Sequence, residues 1–275
     1  MSKQKTATDS DTESGAAADA ETILEVTGLE KRFGGIVAVD GTSFSVERGT
    51  ITGLIGPNGA GKSTTFNCIT GVHQPDGGSV VFDGTNITGK SPEKIANHGL
   101  VRTFQIAREL PEMTVLENMM LGPKNQRGED IWRSVLPGAR SEVIEQEEQL
   151  REQAWDTLEF FEIDHLAEEY AGTLSGGQRK LLDLARALST DPEMLLLDEP
   201  MAGVNPSLET KLLDRVHDLK QQGYSFLLVE HDMDVIMEHC ERVIVLHQGS
   251  VLADGEPEQI KSNEAVIQAY LGGDV

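Results

Sequence analysis

The sequence predicts an α/β fold: a mainly parallel sheet covered by helices, with an antiparallel β portion and an inserted α-helical subdomain. Three observations carry the prediction. Short β-prone segments alternate with helical ones from Thr22 to Phe104 and again from Met194 onward. The runs Met194–Leu197, Phe226–Val229 and Val243–Leu246 are almost wholly apolar, the pattern of strands buried on both faces of a parallel sheet. Between these regions the chain turns into a long acidic stretch from Glu117 to Tyr170 whose pattern is largely helical.

In chain order, residues 1–21 are rich in Ser, Thr, Asp, Ala and Gly and lack an apolar run, so they read as a disordered acidic tail and not as a secretory signal. Residues 22–272 read as one domain. Ile23–Val26, Ser43–Val46 and Ile51–Ile55 are β-prone, followed by Ser79–Phe82 and Arg102–Phe104. A helix opens at Gly61 and runs to Thr70. The helical subdomain occupies about residues 106–175, with Glu142–Phe161 as a long acidic amphipathic helix and Pro123–Gly138 as a looser segment. A further helix is expected over Gln178–Leu188, before the C-terminal strands resume.

Composition excludes several function classes. The 275 residues include 46 acidic and 23 basic ones, a net charge of −23, so there is no broad basic footprint and no nucleic acid is expected as a ligand. Such acidity makes a solvated, aggregation-resistant surface and suits a salt-rich cytoplasm, where screening relieves self-repulsion. No run approaches the ~18 apolar residues of a membrane helix. The expected location is therefore the cytoplasm, with any membrane role supplied by a partner. Cys68 and Cys240 read as small buried apolar residues in a reducing compartment.

Three motifs carry chemistry. Gly56-Pro-Asn58-Gly59-Ala60-Gly61-Lys62-Ser63-Thr64 matches the P-loop pattern between a strand and a helix. Its glycines let backbone N–H groups turn towards a phosphate chain, and the helix start adds positive potential. Lys62 reaches the β- and γ-phosphates, and the Ser63 hydroxyl suits Mg²⁺. Met194-Leu-Leu-Leu-Asp198-Glu199-Pro200 is a buried strand ending in two carboxylates, Asp198 placed to hold Mg²⁺ through water and Glu199 to polarise the attacking water. Leu174-Ser175-Gly176-Gly177-Gln178-Arg179 opens a helix with a hydroxyl and exposed N–H groups, a second phosphate-binding element. One nucleotide meets both elements only if the chain folds back on itself or if the second comes from another subunit.

With that third motif the sequence resembles the ABC ATPase family over nearly all of Thr22 to Leu271. The resemblance implies ATP and Mg²⁺ as cofactors and a head-to-tail dimer, in which Ser175, Gly176, Gly177 and Gln178 bind the ATP held by the partner's P-loop. It also implies roles for three residues in family order. Phe33 looks like the aromatic that stacks on adenine, Gln105 like the glutamine that senses Mg²⁺ and water, and His231 like the histidine that contacts the γ-phosphate. Asn205 stands where the family usually has aspartate. Met201–Pro206, Val229–Asp234, Gly255–Ile260, Val266–Gly272 and the longer Pro123–Gly138 segment are similar to the ATP-binding subunits of branched-chain amino acid importers. That branch implies partner permease subunits in the membrane, a second ATPase subunit (a copy or a paralogue) and, indirectly, a solute-binding protein. The implied function is ATP hydrolysis that powers import from the inner face of the membrane. The alternatives are another cargo, such as urea or lipopolysaccharide, or a soluble ABC ATPase outside transport.

Overall fold

The structure, a computed structural model, describes residues 21–103, 110–123 and 140–271. The expectations for the N-terminal tail, Phe104, Gln105 and most of Pro123–Gly138 lie outside these residues. Aliphatic residues spaced at period two build strands β1 (Thr22–Phe33) and β2 (Ile36–Glu47), which turn at Gly34 and Gly35 and pair antiparallel. Both run further than the cores expected from the sequence. The extra residues include Ile36 and Val37, 70% and 42% exposed, so burial gives no alternating signal there. Strands β4 (Gly77–Phe82) and β5 (Thr85–Asn86) complete an antiparallel sheet in the order β2-β1-β4-β5.

The second sheet has the order β10-β9-β3-β8-β7-β6, from β3 (Ile51–Ile55), β6 (Leu100–Arg102), β7 (Met194–Asp198), β8 (Ser225–Val229), β9 (Arg242–His247) and β10 (Ser250–Gly255). Every pairing is parallel except the antiparallel β9–β10 edge. The strand expected at Arg102–Phe104 lies two residues earlier, because pairing aligns Leu100 with Met194 and Arg102 with Leu196. Side chains alternate between two cores. Ile51, Leu195, Leu197, Phe226 and Leu228 face the helical side, whereas Leu54, Leu196, Leu227 and Val229 face the antiparallel sheet and helix α1 (Lys62–Ile69). Two short helices follow, α2 (Pro92–Asn97) and α3 (Val115–Met120), the latter opened by a Thr114/Glu117 capping box.

The helical side is covered by α3, α4 (Arg140–Phe160), α5 (Gly176–Leu188) and α6 (Pro206–Gln221). Helix α5 starts two residues before the expected Gln178, because Ser175 caps it. Helices α7 (Met233–His239), α8 (Pro257–Lys261) and α9 (Glu264–Leu271) close the C-terminal part. Among the described residues, no helix is long and apolar enough to cross a membrane.

This strand order positions the site. Because β3, β8 and β7 are parallel neighbours, their C-terminal ends bring together the loop after Ile55, the residues after Val229 and the pair Asp198–Glu199. Ligands of open α/β sheets bind at this edge.

Candidate active site

The loop between β3 and α1 needs glycine at two places. Gly56 has φ 151°, and a Cβ there would lie 2.2 Å from the Leu246 carbonyl oxygen. Gly61, the N-cap of α1, has φ 101°, and its Cβ would lie 2.5 Å from the Ala38 oxygen. Larger side chains would push the loop off β2 and β9. The buried Lys62 folds back over the loop, its Nζ donating to the carbonyls of Gly56 (2.7 Å) and Pro57 (3.3 Å). Burial pushes the Lys62 ammonium below its usual pKa, and the Glu199 and Asp198 charges oppose that shift, so cation and both carboxylates share one neighbourhood. Ser63 is exposed.

Asn58–Thr64, Ile36–Ala38, Glu199 and His231 line a cavity of 390 Å³. The far side of the same loop, Pro57–Ala60, borders a second cavity of 770 Å³ towards α9, with Tyr270 in its wall. The structure thus joins Asn58, Gly59, Ala60, Gly61, Lys62, Ser63, Thr64, Glu199 and His231 around one space. Phe33 is not in that lining. It is 43% exposed and packs edge-on against His73 at 5.2 Å, and Ile36 and Val37 form the corresponding wall. Gln105 lies outside the described residues.

Glu199 has φ 50°, a left-handed conformation that a non-glycine residue holds only when its surroundings fix it. Its N–H donates to the Val229 carbonyl at 2.9 Å, and its own carbonyl accepts from Lys180 Nζ at 2.9 Å. The carboxylate Oε1 lies 2.6 Å from His231 Nε2. The backbone around this pair is braced by Glu230, 6% exposed, which accepts from the N–H groups of Met201 (2.7 Å) and His231 (3.3 Å). Burial pushes the Glu230 carboxyl up, and those two N–H bonds pull it down. Asp198 is ion-paired to Arg102. Exposed Ser63 and half-buried Asp198 offer hard oxygen donors, the chemistry that suits Mg²⁺.

Sequence reasoning missed Arg102, Lys180 and Glu230 as site residues. Glu230 left one signal, a carboxylate directly after a buried strand and directly before His231. Arg102 and Lys180 reach the site only through tertiary pairing.

The second glycine-rich element, residues 174–179, stands apart. Ser175 Oγ accepts from the Gln178 N–H at 3.3 Å, and Gln178 Oε1 accepts from the Ser175 N–H at 2.9 Å, a complete capping box. Gly176 is open, with nothing within 4 Å of a Cβ placed on it. A Cβ on Gly177 would meet Leu208 Cδ2 of α6 at 2.1 Å. None of Ser175, Gly176, Gly177 and Gln178 lines the 390 Å³ cavity. Asn205 caps α6, its side chain accepting from the Leu208 N–H at 3.0 Å, a role that asparagine and aspartate fill equally well.

Comparison with known proteins gives the family. Residues 39–202 match the family described as ABC transporter. The chain belongs to the ABC transporter family. Residues 250–275 also match the family described as branched-chain amino acid ATP-binding cassette transporter. A probable branched-chain amino acid transport ATP-binding protein, LivG, of Archaeoglobus fulgidus is 44% identical over 250 residues, covering 91% of this chain and 95% of the relative. The high-affinity branched-chain amino acid transport ATP-binding protein BraF of Pseudomonas aeruginosa is 42% identical over 251 residues, covering 91% and 98%. A crystal structure of an ABC transporter's ATP-binding cassette in its ADP conformation superposes with a TM-score of 0.78 at 39% identity, covering 91% of this chain and 99% of that one. A nucleotide-free cassette gives the same TM-score at 40% identity, covering 90% and 98%.

Proposed function

We propose that this ABC transporter chain is the subunit that binds and hydrolyses ATP to drive import through partner permeases, with branched-chain amino acids as the cargo. The observation that carries the catalytic part is the Glu199–His231 contact of 2.6 Å in the wall of the cavity formed by Asn58–Thr64. The names of the relatives and the match over residues 250–275 support the cargo. Residues 22–272 form the ATPase domain in this reading, with the helical subdomain over about 106–175 and the tail outside it.

The chain's own residues divide the work. N–H groups of residues 58–64 and the Lys62 ammonium face the triphosphate. For Lys62 this means exchanging its bonds to the Gly56 and Pro57 carbonyls for phosphate oxygens. Glu199 accepts hydrogen bonds from the attacking water and orients it in line, while His231, within reach of Glu199, contacts the γ-phosphate. Ser63 and Asp198 would hold Mg²⁺, a role that the family resemblance also gives Gln105, and the ion would supply positive charge against the phosphates. Positioning supplies most of the rate. Phe33, brought over by rotation away from His73, covers the adenine.

Residues 174–179, the signature of the family in this reading, support a dimer. Ser175 Oγ already accepts a bond from Gln178, so its own proton remains for donation, and the first N–H groups of α5 have no intrahelical acceptor. Because these donors lie outside the chain's own cavity, they serve the site of a second ATPase subunit. The dimer docks on the cytoplasmic side of the permeases, and a solute-binding protein delivers cargo from the opposite side.

Glu199→Gln tests the enzyme reading. Turnover should fall about 100-fold or more, with an ATP-bound dimer accumulating on size exclusion. Undiminished turnover would remove Glu199 from its role. Co-purification of the permease and its solute receptor from native membranes tests the cargo, and a receptor that binds urea and no branched-chain amino acid would overturn it.

A further inference from the structure

Arg102 is the last residue of β6, and its guanidinium joins three parts of the site. Nη2 is ion-paired to Asp198 Oδ2 at the end of β7. Nη1 donates to Asn67 Oδ1 at 2.7 Å on α1, the helix that the P-loop opens. The group also lies over the Phe66 ring, 5.7 Å from its centroid. The pair is well enclosed, with the side chains of Arg102 and Asp198 11% and 21% exposed. Arg102 Nε is buried without a hydrogen-bond partner among the described residues.

This differs from the arginine pairs on the surface. Arg215, for example, bonds Glu162 on an exposed face, where such contacts contribute little. Arg102 instead has one donor without a partner among the described residues while it holds a carboxylate that the motif chemistry assigns to a metal. Its planar fork is split: one arm takes a single oxygen of Asp198 and the other is anchored on α1. Asp198 Oδ1 therefore keeps its lone pairs while the carboxylate plane is fixed.

The geometry points to Arg102 as a positioning residue that also acts electrostatically. It fixes the Asp198 carboxylate for the metal's water and serves as its counter-ion until nucleotide arrives. A positive charge bonded to the metal's carboxylate opposes a free divalent cation. When ATP brings its own negative charge beside Lys62, that opposition is overcome. The metal therefore enters with the nucleotide and not ahead of it. The same fork ties the end of β6 to α1 and to Asp198. This inference rests on Asp198 serving Mg²⁺ in ATP hydrolysis, as proposed above.

Mn²⁺ binding by electron paramagnetic resonance, on the full-length chain with and without ATP, tests it. Wild type should bind Mn²⁺ weakly alone and tightly with ATP. Arg102→Met, which replaces the cation with a neutral unbranched side chain, should bind Mn²⁺ without nucleotide about tenfold more tightly. Its kcat should fall about tenfold as Asp198 loses its fixed plane, with ATP affinity in EDTA unchanged. Arg102→Lys keeps the charge, so it should restore weak nucleotide-free Mn²⁺ binding and only part of kcat. Asn67→Ala keeps the guanidinium but frees its anchor. It should lower kcat several-fold at unchanged metal-free ATP affinity, and it decides the matter if Arg102→Met does not fold. Wild-type Mn²⁺ affinity and kcat in Arg102→Met, or wild-type kcat in Asn67→Ala, would overturn the inference. Parallel loss of thermal midpoint, metal-free ATP binding and kcat that Arg102→Lys does not restore would overturn it too, by making Arg102 a prop of the fold. A wild type that fails to hydrolyse ATP would instead sink the enzyme reading itself.

Discussion

At the P-loop the backbone is held where side chains rarely go, whereas at the head of α5 it is relaxed. Gly56 has φ 151°, Gly61 has φ 101° and Glu199 has φ 50°, each pinned by neighbouring strands or by hydrogen bonds such as Glu199 N–H to Val229. Ser175 sits at φ −64°, ψ 161°, an ordinary N-cap, and its capping box closes on itself. One end is a strained cradle that encloses a cavity. The other is a self-satisfied helix start with an open glycine in front of it. Strain of this kind persists where the surroundings over-determine it, as a preorganised ligand site requires. A relaxed, outward-facing cap suits an element that meets its ligand only when another surface arrives.

The two glycines of the signature give the sharpest division between packing and function. Gly177→Ala places a Cβ 2.1 Å from Leu208 Cδ2, the movable end of a side chain that must then shift, and should cost more stability than Gly176→Ala, read as a fall in the urea midpoint. Gly176→Ala meets nothing within 4 Å and should stay within about 0.5 kcal/mol of wild type, yet turnover should drop if its open face meets the phosphate of a second subunit, as proposed. Equal stability losses for both variants would contradict the division. Ser175→Ala should cost about 1 kcal/mol from the lost cap, with turnover falling further than that loss explains, because the hydroxyl proton is also removed. If turnover and stability fall in proportion, Ser175 is a cap alone.

The smallest effect concerns Glu230. Burial raises its pKa in the folded chain above the unfolded glutamate value, so the native state binds the proton more readily. Its contribution is therefore fully present below the unfolded pKa and is lost as pH rises through the raised folded value. Relative to wild type, Glu230→Gln should lose that slope in chemical denaturation measured across acidic to neutral pH. A slope identical to wild type would mean that Glu230 is ionised without penalty.

Both ends were legible in the sequence, because the chemistry of each demands contiguous residues. Gly56 to Thr64 and Asp198-Glu199 each sit in one short run beside a buried strand, and the structure brings Asn58–Thr64 and Glu199 to one cavity. The parallel sheet was legible for a similar reason, since Met194–Leu197 and Phe226–Val229 are apolar on both faces. Contacts made by register left no trace in the sequence. Arg102 meets Asp198 only because β6 pairs with β7, and Lys180 meets the Glu199 carbonyl only because α5 packs against that sheet edge. Strand ends were misplaced where the partner strand decides them, as at Arg102, or where side chains stay exposed, as at Ile36. Phe33 was singled out by its place in a motif, and its packing on His73 belongs to a tertiary contact that no local pattern contains.

If the signature of one chain completes the P-loop site of another, two inactive variants should rescue each other when mixed. Lys62→Ala removes the cradle's cation. Gly176→Asp places a negative charge at an open position where phosphate would approach. Each variant alone should be nearly inactive. In a 1:1 mixture about half of the dimers are mixed, and each of those holds one intact composite site, so ATP hydrolysis should recover to about a quarter of the wild-type rate. A mixture as inactive as either variant alone would contradict a site shared between two copies of this chain.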